Sequence, residues 1–518
     1  MSLPPSLAAS LCDRRADPDA PPPCPARFNL ARHTLWAGQP EDKVALTLAG
    51  PDGAALGQWR YGDLRAQVGA ISGGLRAAGL APGERVMLRL RDGPDFPLMF
   101  LGVIAAGGVA APVSAQLTDR EAAYVARDLD ARFVCVGEGM AFETDAPRLD
   151  PAELMRADPV APADTARDDP AFIVYTSGSS GKPKGVLHAQ RAAWARRMMW
   201  RGWYGLGPDD VMLHAGAFNW TYTLGAGLLD PWAAGAATIV SGGARTPEMW
   251  PVLAGATRPT LFAATPGVYR QILKYGGALR EGFASLRHAL SAGETLADRL
   301  REGWERETGK PVLEALGMSE VSTYVSASPD APARPGFVGR PQPGRCVAVL
   351  RTGTDAPAPI GETGELAVRR DDPGLMLRYW RADAETEAAF RGDWFLTGDL
   401  AEMDAEGAVG WRGRADDMIN AGGHRVAPQE VEAALSAHPK VVEAAAVALP
   451  IDATLSILAA FVVAPGAEVA ELEAWCAERL ARYKRPRSIA LVESLPRTAT
   501  GKLARRDLIA AHAPQPRT

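Results

Sequence analysis

The sequence predicts an α/β protein. A large N-terminal domain of parallel or mixed sheets flanked by helices carries a β-barrel-like part, and a small C-terminal α+β domain follows. Three observations carry this reading. From 60 to 165, short apolar runs alternate with helical periodicity. From 211 the alternation resumes, in runs that stop at Gly, Pro or small residues. From 345 to 412 the texture changes to closely spaced hairpins. Strands that alternate with helices imply a parallel sheet with both faces covered.

Residues 1–30 are Pro-rich and are expected to lie over the surface. "RYGDLRAQVGAISGGLRAAGL" (60–80) reads as a helix and "RVMLRL" (85–90) as a strand. A helix over 95–106, the strand "GVAAPVS", a helix from Asp119 and the strand "ARFVCVG" follow. The uncharged run 96–118 contains Pro97, Gly102, Gly107, Gly108 and Pro112. That pattern suits a buried helix and a strand better than a membrane span. "RADPVAPADTARDDP" (156–170) is a polar connector, and the apolar run 171–174 leads into "YTSGSSGKPKGVLH" (175–188). The later runs "AATIVSG", "PTLFAATP" and "HALSAGE" place loops at the carboxyl edges of strands, where α/β sheets bind ligands. "RCVAVLRT", "GETGELAVRR" and "DWFLTGDLAEMDAEGAVGWRGR" look antiparallel and barrel-like. From 417, two β-rich runs, "VVEAAAVALP" and "ILAAFVVAP", and a helix near 472–480 make the α+β segment.

The chain has 518 residues, 47% hydrophobic and 23% charged, with a net charge of −5. That balance gives no global basic field for nucleic acid or acidic lipid. Five cysteines, Cys12, Cys24, Cys135, Cys346 and Cys476, form no CxxC pair. Neither a disulfide framework nor a zinc site is expected, and a reducing cytoplasm fits best. The first residues lack a basic start followed by an apolar core, so no secretory signal is read. A homodimer is left open as the assembly.

The loop of 175–188 is rich in Gly, Ser and Thr. Such loops leave backbone N–H groups uncovered, able to cradle phosphate oxygens. Lys182 and Lys184 add charge, and Pro183 stiffens the chain between them. A solvated surface turn is the competing reading, and the placement directly after a buried strand weighs against it. A Walker loop is excluded, because Gly178 and Gly181 are separated by two residues and Pro183 follows Lys182. "GSSG" is one residue short of a nucleophile elbow, and HExxH is absent.

"YTSGSSGKPKG" resembles the signature loop of the adenylate-forming superfamily, which includes acyl-CoA synthetases, beetle luciferases and peptide-synthetase adenylation domains. Further motifs resemble the family's in the right order. "SAGET" (291–295) resembles the adenine-side loop. "ALGMSE" (315–320) resembles a Tyr-Gly-x-Thr-Glu motif, with Leu316 replacing the aromatic and Ser319 the Thr. "FLTGDL" (395–400), "GRADDMINAGGHRVAPQEVE" (413–432) and "PRTATGKLARR" (496–506) complete the set. The resemblance covers roughly 60–510 and is closest to the medium-chain and aromatic (benzoate-type) acid–CoA ligases.

What the resemblance implies is an ATP-dependent acid–CoA ligase. Acyl-AMP and pyrophosphate form first, then acyl-CoA and AMP, with ATP, Mg²⁺ and coenzyme A taking part. Thr176, Ser177, Gly178, Ser179, Ser180, Gly181, Lys182 and Lys184 would hold the phosphates. Gly293, Glu294 and Thr295, with Ala315, Leu316, Gly317, Met318 and Ser319, would frame the nucleotide. Glu320 would bind Mg²⁺, Asp399 the ribose hydroxyls, and Arg414 would sit beside the ribose. Lys502 would reach the carboxylate and α-phosphate, and Arg425 would serve the second half-reaction. Asp416 matches the family hinge, which divides the chain into 1–415 and a mobile 416–518. Gly422, Gly423 and His424 would line a thiol tunnel, and Arg485 in "YKRPR" would meet CoA phosphates. In the segment 217–240, Trp220 is the expected acyl-pocket wall, with Tyr222, Gly317 and Tyr324 as further candidates. "AFNWTYT" has no acid for an α-ammonium, which argues against amino acids. The carboxylic acid itself stays unnamed. A stand-alone enzyme that loads a carrier protein remains the alternative, and a non-catalytic homologue is disfavoured by Lys502, Glu320 and Asp399.

Overall fold

The structure is a computed structural model that describes residues 7–177, 183–415, 419–421, 424–426, 428–450, 456–480, 482–497 and 503–512. By Cα proximity the chain divides into two compact units. The larger comprises 12–347 and 368–395; the smaller comprises 1–11, 348–367 and 396–518.

Two sheets organise the larger unit. Among the described residues, the first has nine strands. Its centre is parallel: Val44–Ala49, Ala237–Ser241, Val211–His214, Leu261–Ala264, His288–Ala292 and Val312–Met318 lie side by side. Antiparallel strands close both edges, Ala55–Arg60 on one side and Ser322–Ser326 with Arg340–Pro341 on the other. The second sheet has seven described strands, with Arg85–Arg89 between Val109–Pro112 and Phe133–Val136, all parallel. Pro170–Ser177 continues that sheet, and Pro183–Ala189 and Arg378–Tyr379 extend it in antiparallel fashion.

Local chemistry accounts for many of these elements. Asp119–Leu129 begins at Thr118, whose hydroxyl accepts from the Glu121 N–H while the Glu121 carboxylate accepts from the Thr118 N–H. This reciprocal box satisfies two donors that a helix start otherwise leaves open. Asp95–Ala105 is apolar on all sides and buried almost throughout, as expected for a helix inside a layered core. Among the described residues no helix is long and apolar enough to cross a membrane. All five cysteines are buried and free.

The apolar run 171–174 lies in Pro170–Ser177, which pairs antiparallel with Pro183–Ala189; residues 178–182 lie outside the described residues. One expectation needs adjustment: the Pro-rich N-terminus is tied down rather than merely draped. Cys12 and Cys24 are buried, the Arg14 N–H donates to the Arg345 carbonyl at 2.8 Å, and the Trp194 indole donates to the Pro22 carbonyl at 2.7 Å.

In the smaller unit, 399–403 pairs antiparallel with 409–414. Its C-terminal part carries the antiparallel pair Glu443–Pro450 and Ser456–Val463, with Ser488–Leu491 parallel to the latter. Pro428–Ser436, Val469–Arg479 and Arg505–His512 are helical. Val431, Leu435, Leu458, Leu472 and Cys476 share one buried core there.

Candidate active site

In the larger unit the hairpin formed by Pro170–Ser177 and Pro183–Ala189 meets the "ALGMSE" turn. Thr176 pairs with Lys184 and Ser177 with Pro183 across the hairpin; Gly178, Ser179, Ser180, Gly181 and Lys182 lie outside the described residues. Thr176 and Lys184 are half-buried. The Lys184 ammonium lies 5.4 Å from the centroid of the Tyr379 ring, within cation–π range. The Tyr379 hydroxyl donates to Glu320 Oε1 at 2.8 Å. Tyr379 is delivered by strand pairing, because it sits opposite Val186 of the same hairpin.

The turn that carries Glu320 is held at several points. The Met376 N–H donates to the Glu320 carbonyl at 2.7 Å. His188 Nε2 lies 2.7 Å from the Ser319 carbonyl. A carbonyl only accepts, so Nε2 carries the proton. Burial lowers the His188 imidazole to about 4 and keeps the ring neutral at pH 7. Ser322 adopts φ +69°, an uncommon left-handed conformation for a non-glycine residue, and its hydroxyl is hydrogen-bonded by Arg196. Arg196 is itself anchored on Asp230, with Nε to Oδ1 at 2.8 Å and Nη2 to Oδ2 at 2.6 Å. Gly317 lies at a register shift between Val312–Met318 and Ser322–Ser326. A Cβ there would meet the Ser322 carbonyl oxygen at 2.6 Å and Thr323 Cα at 2.7 Å. Only glycine lets the two strands approach this closely.

Ala315 is buried, while Leu316, Met318 and Ser319 are half-buried. Gly293, at φ +93°, and Thr295 are exposed and Glu294 is half-buried in the loop after His288–Ala292. The exit of that loop is pinned by a buried carboxylate. Glu314 Oε1 accepts the Leu296 N–H at 2.8 Å, and Oε2 accepts from Arg301 at 2.8 Å. Burial pushes the Glu314 carboxyl up to about 7, against the pull of the Leu296 N–H and Arg301.

Besides Gly317, three acyl-pocket candidates take different positions. Trp220 precedes the helix Thr221–Leu224 at its N-cap and is half-buried. Tyr222 turns toward the strand ends: its hydroxyl donates to the Leu290 carbonyl at 3.1 Å and its ring stacks on Trp203 at 5.7 Å. Burial raises its phenol well above the ordinary value. Tyr324 is fully buried on Ser322–Ser326. None of the three lines the narrow cavity beside this segment, which Thr221 and Leu224 share with His188 and Ser319.

In the smaller unit, Asp399 stands directly opposite Arg414. Arg414 Nη1 donates to the Thr397 carbonyl at 2.9 Å and lies 3.4 Å from Asp399 Oδ1. Burial raises the Asp399 carboxyl, and Arg414 opposes that shift. His424 and Arg425 lie on the short strand His424–Val426, paired with Ala421 and Asn420. Gly422, Gly423, Asp416 and Lys502 are outside the described residues. Arg485 is placed as a helix cap: Nε donates to the Leu480 carbonyl at 2.9 Å and Nη2 to the Ala477 carbonyl at 2.7 Å.

Sequence reasoning missed Tyr379, Glu314, His188 and Arg196. Tyr379 lies in "MLRYW", where no spacing or charge pattern marks it. His188 is the last residue of the stretch 175–188, three positions past the signature string that ends at Gly185, a proximity that was available as a signal. Glu314 sits one residue before "ALGMSE", in a strand whose neighbours are apolar.

The chain matches the AMP-binding enzyme family over 34–380 and the AMP-binding enzyme C-terminal domain over 430–502. It is 32% identical to a 3-hydroxybenzoate–CoA ligase of Aromatoleum sp. (strain CIB), over 86% of this chain and 90% of that protein. It is 31% identical to a benzoate–CoA ligase of Thauera aromatica, over 95% of this chain and 98% of the relative. The crystal structure of the anthranilate CoA ligase AuaEII with anthranoyl-AMP superposes with a TM-score of 0.85 at 28% identity, covering 95% of this chain and 98% of the other.

Proposed function

Because the chain belongs to the AMP-binding enzyme family, we propose that it is an ATP-dependent acid–CoA ligase acting on an aromatic or short-to-medium-chain carboxylic acid. Supporting this are relatives named for benzoate and 3-hydroxybenzoate. The observation that carries the catalytic reading is the meeting of Lys184, Tyr379 and Glu320 at one sheet edge.

The acid's carboxylate oxygen attacks the α-phosphorus of ATP, forming the acyl–phosphate bond as the bond to the pyrophosphate oxygen breaks. The thiol of coenzyme A then attacks the acyl carbonyl carbon and AMP leaves. Both reactants of the first step are anionic, so the chain's contribution is oriented positive charge and N–H donors. Lys184 and the backbone around Thr176 would hold the leaving phosphates, and Asp399 would accept from the ribose hydroxyls. We assign the domains as 1–415 and 416–518, pivoting at Asp416. Lys502 would act in adenylation, and Arg425 and the 422–424 segment in thioester formation. Arg485, engaged in capping a helix, would have to exchange those bonds for a CoA phosphate.

Glu320 offers a hard oxygen donor, and among the described residues no group of three His, Cys, Asp or Glu could hold a metal. That donor set fits Mg²⁺ carried in by the nucleotide, held by one carboxylate and the phosphates. Bound there, the ion would neutralise the leaving pyrophosphate. A cytoplasmic setting agrees with this substrate set.

Chromatography of nucleotides after turnover with a panel of acids tests the reading. AMP and pyrophosphate in equal amounts, dependent on CoA and highest with benzoate-type acids, are expected. ADP as the main product would remove the assignment. Adenylate that accumulates and is discharged only by a carrier protein would favour carrier loading.

A further inference from the structure

Lys184 and Glu320 carry the opposite charges of the phosphate-side site, yet they do not pair with each other. One side chain touches both. Tyr379 gives its hydroxyl proton to Glu320 Oε1 at 2.8 Å and offers its ring to the Lys184 ammonium at 5.4 Å. Among the described residues, no other donor reaches the Glu320 carboxylate and no acid pairs with Lys184. A direct ion pair would cancel the ammonium meant for phosphate against the carboxylate meant for a cation. A neutral phenol between them avoids that. Its O–H stabilises the carboxylate while leaving the negative charge in place, and its face attracts the ammonium without removing its protons.

Tyr379 is also fixed independently of its two partners. Its strand is registered on the hairpin, Tyr379 opposite Val186 and Arg378 opposite Leu187. The Tyr379 N–H donates to Thr386 Oγ1 at 3.0 Å. The Met376 N–H, three residues earlier, holds the Glu320 carbonyl. The segment 376–379 therefore grips the glutamate at both its backbone and its carboxylate.

We propose that Tyr379 is a positioning residue for adenylation, a neutral spacer that aims Glu320 at a nucleotide-borne divalent cation and keeps Lys184 free for phosphate. This rests on the acid–CoA ligase reading above. The test is a calorimetric titration of the full-length protein with ATP at a series of Mg²⁺ concentrations, without acid, next to pyrophosphate release with benzoate. Tyr379→Phe keeps the ring and loses the hydroxyl. It should raise the Mg²⁺ concentration needed for half-maximal ATP binding about tenfold, the worth of one hydrogen bond to a charged group. Tyr379→Leu loses both contacts and should weaken ATP binding about threefold further. Lys184→Met in the Tyr379→Leu background should then add less than it does in wild type. Melting temperatures within a few degrees of wild type exclude loss of fold. Tyr379→Phe with wild-type Mg²⁺ dependence would falsify the proposal. So would an equal fall in rate at every Mg²⁺ concentration with binding unchanged. Wild-type protein that binds no ATP at all would instead remove the ligase reading, and this inference with it.

Discussion

Arg414 lies with Nη1 3.4 Å from Asp399 Oδ1, across a hairpin in which the two residues face each other directly. The residue before the aspartate makes this possible. Gly398 has φ +74°, and a Cβ there would come within 2.7 Å of Arg414 Nη2. The carboxylate is buried and the guanidinium is more exposed.

Gly398→Ala should therefore act on nucleotide binding through Arg414. The substitution forces a left-handed backbone on alanine, costing on the order of 1 kcal/mol, and pushes the guanidinium away. We expect the KM for ATP to rise about tenfold, with kcat at saturating ATP changing less. Steady-state kinetics over a range of ATP concentrations will show it. An unchanged KM would mean that the Asp399–Arg414 pair lies apart from the nucleotide.

Glu314 gives a pH-dependent prediction. Its folded pKa is raised from 4.5 to about 7, chiefly by burial. The folded state thus holds a proton that the unfolded state releases earlier. The stability from this group is fully present below pH 4.5 and is lost as pH rises toward 7. Glu314→Gln lacks the titration. The stability of wild type relative to this variant should fall by roughly 3 kcal/mol between pH 4.5 and 7. Denaturant unfolding of both proteins across that window measures it. Parallel curves would mean that the Glu314 carboxylate is already ionised in the fold at low pH.

Trp220 stands at the N-cap position of the helix Thr221–Leu224 and is half-buried. As the proposed wall of the acyl pocket it should limit chain length. Wild type is expected to prefer benzoate-like or short-to-medium acids to palmitate, and Trp220→Gly should widen the range. A competition assay with benzoate, octanoate and palmitate decides it. A wild-type preference for palmitate would refute the pocket assignment.

Lys502 and Gly423 lie outside the described residues, and the proposed domain rotation makes opposite demands on them. Lys502→Ala should slow acyl-AMP formation on the order of 10²-fold. It should leave thioester formation from pre-formed acyl-AMP and CoA near wild type. Gly423→Leu should do the reverse, because a side chain would block the thiol path. Single-turnover measurements of each half-reaction separate the two. Equal slowing of both by Lys502→Ala would end the alternating-domain reading.

Much of the chain could be read from neighbours in sequence. The helix from Asp119 shows itself through Thr118 and Glu121, three residues apart, which satisfy each other's backbone donors. The parallel strands 237–241, 261–264 and 288–292 show themselves as apolar runs ending at small residues. The signature loop, the Glu320 motif and the string around Asp399 stood out as short contiguous strings that resemble a family's motifs in order; the roles given to their residues remain proposals.

What met what was decided by the fold. The Glu320–Tyr379 hydrogen bond joins residues 59 apart, and it exists because Arg378–Tyr379 docks on the edge of 183–189. Tyr222 was one further candidate for the acyl pocket; its hydroxyl reaches the Leu290 carbonyl 68 residues away and its ring packs on Trp203. Arg485 was read as a CoA ligand, yet the end of Val469–Arg479 lies within its reach and offers bare carbonyls. Periodicity and caps are encoded within a few residues, because backbone geometry repeats over that distance. The partner of an exposed hydroxyl or guanidinium depends on strand order, and strand order is set by which apolar faces bury together across the whole chain.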